Sequence, residues 1–168
     1  MKRLISVLLA VIMVLAMSSS VFAASVSSAG AQNIALRNAK LKKSQVTGLR
    51  TKLDRKDKRY DVDFRNKKNG TKFSYEIGQK NGRVYEKSIG YKYKRNYSKK
   101  KISKASAQST ASRWSGVRLA VVKKGKCKYE YDDGEGIYEV KFRNGRYKYE
   151  IEIQAPTGKV IEYSWEYK

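Results

Sequence analysis

Apolar and polar residues alternate strictly in several short stretches of this chain. In residues 60–66, YDVDFRN, apolar side chains occupy every second position, and residues 138–144, YEVKFRN, repeat that pattern. A period of two is typical of a β-strand with one buried face. Turn-forming residues bound these stretches, as in NKKNG at 66–70. The pattern therefore predicts antiparallel sheets that are covered on one face only.

The repeat extends beyond a single strand. Residues 60–66 align with 138–144 at an offset of 78, and residues 73–84 align with 149–160 at an offset of 76. Upstream of each copy, at 29–41 and 102–117, small and apolar residues recur at helical spacing. Each helix would cover the apolar face of its sheet. We therefore expect an α+β fold of two tandem modules, each a helix packed on one face of an antiparallel sheet of about four strands.

The first residues have the organisation of an export signal. Two cations are followed by an apolar run and by small residues at Val21 and Ala23, the spacing that a signal peptidase reads. The run is shorter than the roughly 20 residues that cross a bilayer. We expect a signal peptide at 1–23, with an uncleaved anchor as the alternative, and modules at 28–97 and 101–168. The protein would then be secreted or associated with a bacterial cell envelope.

The charge of the chain is strongly positive and unevenly distributed. The formal net charge is +23, and residues 25–100 carry 22 Lys or Arg against 6 Asp or Glu, whereas residues 101–168 carry 14 against 9. Such an excess attracts anionic polymers, for example wall teichoic acid, rather than one specific nucleic acid. Segment 91–104 could stack bases, but its aromatic alternation also fits a strand end followed by a solvated linker. The candidate polyanion-binding residues are Lys67, Lys68, Lys92, Lys94 and Arg95.

The sequence lacks the usual residues of catalytic and metal sites. It contains no histidine, which excludes Ser-His-Asp and Cys-His systems and the common zinc ligand sets. The pairs Asp61 with Asp63 and Glu150 with Glu152 fall on polar strand faces, where burial would not raise the pKa of a general acid. No glycine-rich phosphate motif precedes a helix. We therefore expect a protein that is not an enzyme and needs no cofactor or metal.

Two single residues are interpreted as structural. Cys127 is the only cysteine, so no internal disulfide can form. It alternates with charged residues, as a small buried residue of a strand does, although a reactive thiol is the alternative. Trp114 lies in a helix with few other large residues, and we expect it to be part of the core.

The repeated pattern resembles a known family. Both copies have a helix with small residues, Tyr-x-Val-x-Phe, a turn, aromatic-x-[Tyr/Ile]-x-Ile, four residues, and Gly-x-Val. This pattern resembles the PepSY family over nearly all of the mature chain. The resemblance implies a non-enzymatic module of exported bacterial proteins, found in propeptides of secreted metallopeptidases and proposed to restrain peptidase activity. In architecture alone, the pair also looks like beta-lactamase inhibitory protein.

The resemblance also implies a function and a surface. The protein would be a secreted binding module that inhibits or regulates an extracellular or cell-wall peptidase on a separate chain. Its binding surface would be the outward strand faces, and whether the two sheets form one surface is open at this point. The candidate partner-binding residues are Arg65, Lys72, Glu76, Lys141, Arg143, Lys148 and Glu150.

Overall fold

The computed structural model describes residues 25–132 and 134–168, so the predicted signal peptide lies outside the described residues. The helices are α1 (Ser28–Asn38), a 3₁₀ turn (Lys43–Gln45), α2 (Lys104–Ser115) and α3 (Leu119–Lys123). The strands are β1 (Val46–Asp54), β2 (Arg59–Asn66), β3 (Lys72–Gly78), β4 (Val84–Gly90), β5 (Lys126–Asp132), β6 (Glu135–Asn144), β7 (Tyr147–Gln154) and β8 (Val160–Tyr167). Over the described ranges, no helix has the length and apolar character needed to span a membrane.

All eight strands belong to one antiparallel sheet. Its order is β1-β2-β3-β4-β8-β7-β6-β5, so β4 and β8 meet at the centre and β1 and β5 form the edges. The junction pairs Ser88 with Ser164, and its register runs from Glu86 to Gly90 on β4. The predicted α+β class with antiparallel strands is confirmed. The two sheets expected from the sequence, however, are joined edge to edge into a single sheet.

A helix covers each half of the sheet on the same face. In the first half (β1–β4), α1 is capped by Ser27, whose hydroxyl accepts a hydrogen bond from the Gly30 amide at 3.1 Å. Small side chains on α1 bring the helix close to the strands, which supply most of the buried volume. The buried residues of this first cluster are Ala31, Ala35, Leu36, Val46, Tyr60, Val62, Phe64, Tyr75 and Ile77.

The second half (β5–β8) has a separate buried cluster. Ser103 caps α2, and Gly116 ends it with a left-handed φ of 70°, which glycine adopts without strain. The short helix α3 follows and buries Val122, an element that the sequence pattern did not predict. The cluster contains Ala107, Ala111, Val117, Val122, Tyr138, Val140, Phe142, Ile151, Ile153, Ala155 and Val160.

Trp114 is a correction to the sequence interpretation. It was expected in the core, but 48% of its surface is exposed. The buried stripe of α2 consists of small and polar side chains, and Trp114 lies in the last turn of the helix. There its ring forms a T-shaped pair with the Tyr91 ring, with 5.2 Å between centroids, and about half of the residue remains in solvent.

The connection between the halves is docked rather than free. β4 ends at Gly90, so Tyr91 and Tyr93 do not finish the strand as expected. Glu135, which is 3% exposed, accepts hydrogen bonds from the Tyr93 hydroxyl and from the Asn96 amide, each at 3.3 Å. Gln154 donates to Glu135 at 2.8 Å and to the carbonyl of residue 94 at 2.9 Å. These buried polar groups hold residues 91–96 against the second half.

Tyr75 carries an unsatisfied buried hydroxyl. The residue is 1% exposed, its hydroxyl has no hydrogen-bond partner among the described residues, and burial raises its pKa. An unpaired buried polar group costs about 1–3 kcal/mol. We therefore expect Tyr75→Phe to raise the free energy of unfolding by about 1 kcal/mol, measured by urea denaturation.

Tyr138 provides the matched control in the second half. It is also buried, but its hydroxyl donates to the carbonyl of Ile102 at 2.8 Å. Tyr138→Phe removes that bond, and we expect it to lower the free energy of unfolding by about 1 kcal/mol. Equal losses in both variants would contradict the account of Tyr75.

Candidate binding face of the sheet

The face of the sheet opposite the helices carries two rows of stacked carboxylates. The first carboxylate ladder crosses four neighbouring strands and consists of Asp61, Glu76, Glu86 and Glu166. The second carboxylate ladder crosses β6, β7 and β8 and consists of Glu139, Glu152 and Glu162. In each ladder, the acids are direct cross-strand partners. The two ladders together contain seven of the 15 acidic residues of the chain.

These ladders place like charges opposite one another, which is destabilising. Burial, and then the neighbouring Glu76 and Glu166, raise the pKa of Glu86. Burial, and then Glu162 and Glu150, likewise raise the pKa of Glu152, and burial raises that of Asp61. The expectation that burial would not raise the pKa of these paired acids is therefore wrong for Asp61 and Glu152. Residues that reduce the stability of a fold in this way are concentrated at functional surfaces, so the ladders mark the outer face as a candidate binding face.

Glu86→Gln tests the repulsion within the first ladder. The folded state raises the pKa of Glu86, so its contribution to stability is present below the ordinary value of 4.5 and is lost as the pH rises. At pH 7 we expect the variant to be more stable than the wild type by about 0.5 kcal/mol, because the group is partly solvated. Near pH 4 the two should converge. Urea denaturation at both pH values measures this, and an unchanged difference at low pH would contradict it.

Two lysines of the second half form ion pairs with neighbouring carboxylates on the outer face. Lys141 Nζ lies 2.6 Å from Glu139 and 3.1 Å from Glu150, and these partners raise the pKa of the lysine. Lys128 forms an ion pair with Glu130 at 2.9 Å. These are exposed or partly exposed pairs, whose individual contributions to stability are small. Their consequence here is electrostatic, since the positive charges of Lys128 and Lys141 are matched by carboxylates of the protein.

The first half has an open groove on this outer face, with a volume of about 1010 Å³. Its floor contains three small residues from β3 and β4, namely Ser74, Ser88 and Gly90. Four cations line it: Arg50, Arg65, Lys72 and Lys92. We call this feature the basic groove. It combines an accessible backbone floor with a positively charged rim.

The predicted partner-binding residues lie on this continuous outer face. Among the cross-strand partners on this face are Arg65 with Lys72, Arg143 with Lys148, and Lys141 with Glu150. Glu76 forms an ion pair with Arg59 at 2.7 Å. The acids of β4 and β8 were missed: Glu86, Glu162 and Glu166. The signal was available, because an offset of 76 aligns Glu86 with Glu162. Their proximity depended on the β4–β8 junction, which alternation alone does not reveal.

The predicted polyanion-binding residues occupy two places. Lys67 and Lys68 lie in the turn between β2 and β3, and the Lys67 ammonium donates to the carbonyl of Ser44 at 2.9 Å. Lys92 extends over the same turn and lies close to Gly70. If Gly70 carried a side chain, its Cβ would lie 3.3 Å from the Lys92 Cδ. Lys94 and Arg95 lie further along the connection, and Arg95 Nε is 3.9 Å from the buried Glu135 carboxylate.

Among the described residues, potential metal ligands are not clustered and the single cysteine is packed in the second half. Within residues 25–132 and 134–168, no group of three or more His, Cys, Asp or Glu side chains is arranged to hold a metal ion. Cys127 packs against the second buried cluster, and burial raises the pKa of its thiol. A raised pKa lowers the thiolate fraction, which disfavours the reactive alternative.

The sequence of the second half gives a family match. Residues 101–163 match the PepSY family. The family is described as the peptidase propeptide and YPEB domain. The resemblance recognised in the repeated pattern is confirmed for these residues, while the first half lies outside the matched range. PepSY domains are regulatory or propeptide modules that are generally not catalytic, and they occur in secreted or envelope proteins.

Comparison with solved structures gives two likenesses below a TM-score of 0.5. The Bacillus megaterium YpeB C-terminal domain is 17% identical over 83% of this chain and 62% of that chain, with a TM-score of 0.46. This chain therefore spans less than two thirds of that domain. A candidate lipoprotein from Clostridium difficile 630 is 15% identical over 88% of this chain and 97% of that chain, with a TM-score of 0.31. The search of curated proteins gave no match.

Proposed function

We propose that this protein is a non-enzymatic binding module that inhibits or regulates a peptidase outside the cytoplasm. The observation that carries the proposal is the PepSY match, because the description of that family names peptidase propeptides. Under this proposal, residues 1–23 direct export, and residues 28–97 and 101–168 are two PepSY-like modules. The peptidase would be a separate chain, bound by the outer face of the sheet.

The charges of the outer face support its role as the contact surface. The carboxylate ladders hold like charges together at a cost in stability, and basic residues of a partner would relieve that repulsion. Cations at Arg143 and Lys148 flank the first ladder and would contact acidic residues of the same partner. Complementary charges of both signs would fix the orientation of the complex and increase its association rate.

The test is an inhibition assay on the secreted peptidase activity of the producing cell. Initial rates of casein hydrolysis are measured against increasing concentrations of the purified protein, and we expect the rates to fall. Ser164→Trp places a large side chain at the centre of the outer face, opposite Ser88. Steric obstruction of the contact should weaken inhibition by about tenfold or more.

The control is Ala105→Trp, which introduces the same side chain on an exposed position of α2, on the other side of the sheet. We expect this variant to inhibit like the wild type. Peptidase rates that do not respond to the protein would contradict the proposed function. Equal weakening by both variants would contradict the outer face as the contact surface.

A further inference from the structure

We propose that the basic groove binds an anionic polymer of phosphodiester-linked small polyols, of the glycerol-phosphate type. This inference is independent of peptidase binding and concerns a second ligand. The net charge of +23 alone indicates attraction to polyanions without giving a place for them. The groove supplies that place, because it holds cations that the protein itself leaves unpaired.

The four cations of the groove come from four different segments. Arg50 is on β1, Arg65 on β2, Lys72 on β3 and Lys92 on the connection between the halves. Among the residues that the structure describes, none of the four forms an ion pair, whereas Arg59, Lys128 and Lys141 do. Cationic donors are therefore available along the whole width of the first half.

The carboxylates of the groove are engaged by its serines. Asp63 accepts a hydrogen bond from the Ser74 hydroxyl at 2.7 Å. Glu162 accepts one from the Ser88 hydroxyl at 3.3 Å. Both acids are thus held at the floor by neutral donors rather than paired with the cations of the rim. The arginine and lysine side chains remain free to contact an external anion.

The backbone of the floor favours a phosphodiester chain over an acidic peptide. Strands β2, β3 and β4 are each paired on both sides, so the floor offers no open strand edge to a peptide. The amide groups of a peptide lying there would lose water without gaining backbone partners. A phosphodiester chain brings charged acceptor oxygens, which match Arg and Lys donors. Its small polyol units also fit a floor of Ser74, Ser88 and Gly90.

The second half shows why the groove is confined to one side. The alignment places Arg143 and Lys148 at the positions of Arg65 and Lys72. At the positions of Ser74 and Gly90, however, the second half has Glu150 and Glu166. Glu150 forms an ion pair with Lys141, and Glu166 is the cross-strand partner of Lys148. Two carboxylates of the second half therefore occupy the positions that form the small-residue floor of the groove in the first half.

This pair of sites allows a charge-matched experiment. Arg65→Gln/Lys72→Gln and Arg143→Gln/Lys148→Gln each remove two positive charges from equivalent positions. Binding of the full chain to poly(glycerol phosphate) is measured over a series of salt concentrations, with circular dichroism melting to verify folding. We expect the groove variant to lose about tenfold in affinity and its log–log salt slope to fall by about 1.5, as two phosphate contacts predict. The control should stay within about twofold of the wild type.

Three results would overturn the inference. Equal losses in the two double variants would mean that net charge alone attracts the polymer. Equally tight, Arg65- and Lys72-dependent binding of poly-L-glutamate would assign the groove to acidic peptides. Tighter groove-dependent binding to phosphatidylglycerol vesicles would assign it to lipid headgroups. The casein assay with the wild-type protein keeps the two proposals apart, because inhibition without polymer binding would contradict only the groove and polymer binding without inhibition would contradict only the proposed function.

Discussion

Replacing Ile153 with alanine is expected to lower the free energy of unfolding by about 2–5 kcal/mol. Ile153 has no exposed surface and lies in the second buried cluster, where it pairs across the sheet with Tyr138. Deleting its side chain removes apolar burial and leaves a cavity between the sheet and α2. The surrounding side chains are closely packed and relax only partly to fill that cavity. Urea denaturation followed by circular dichroism would measure the loss.

Ile77→Ala is the matched variant in the first half. Ile77 aligns with Ile153, is equally buried, and belongs to the other cluster. Because the clusters share no residue, the losses in the double variant should add within about 0.5 kcal/mol. A large departure from additivity would contradict the separation of the two clusters.

Glu135→Ala is expected to lower the free energy of unfolding by about 2–3 kcal/mol, because hydrogen bonds to a buried charged group are stronger than neutral ones. Its carboxylate accepts from Gln154, Tyr93 and the Asn96 amide. Removing it leaves the buried Gln154 amide with fewer partners and releases residues 91–96. The loss should therefore be accompanied by faster hydrogen exchange at the Asn96 amide.

Glu130→Ala provides the control for this carboxylate. Glu130 is a surface residue of β5 whose ion pair is with Lys128, at 2.9 Å. We expect its removal to leave the unfolding midpoint nearly unchanged and the Asn96 amide protected. Slow exchange at Asn96 in Glu135→Ala would contradict the proposed anchoring of the connection.

Strand composition was predictable because alternation is a local property. The pattern around Val62 and Val140 identified β2 and β6, and both residues are fully buried as expected. The helices were predictable for a similar reason, since small residues such as Ala31 and Ala107 recur at helical spacing. These features depend on neighbours in sequence and need no knowledge of the rest of the fold.

The candidate site was less predictable because it depends on contacts between distant segments. Glu86 and Glu166 become neighbours only through the β4–β8 junction, and the residues of that pair are 80 positions apart. The exposure of Trp114 similarly depends on what lies beside the end of α2. The role of Glu135 as an anchor also could not be foreseen, since an acid in a turn-rich stretch is ordinarily solvated.

The β4–β8 junction also determines which strand edges of the sheet are left unpaired. An isolated four-stranded half would expose two rows of unpaired backbone amides and carbonyls, one on each outer strand. Joining the halves pairs β4 with β8, so among the described strands only β1 and β5 have an unpaired edge. Cleavage at the connection followed by separation would uncover β4 and β8, and each fragment would then be prone to aggregate. Each half therefore covers one open strand edge of the other.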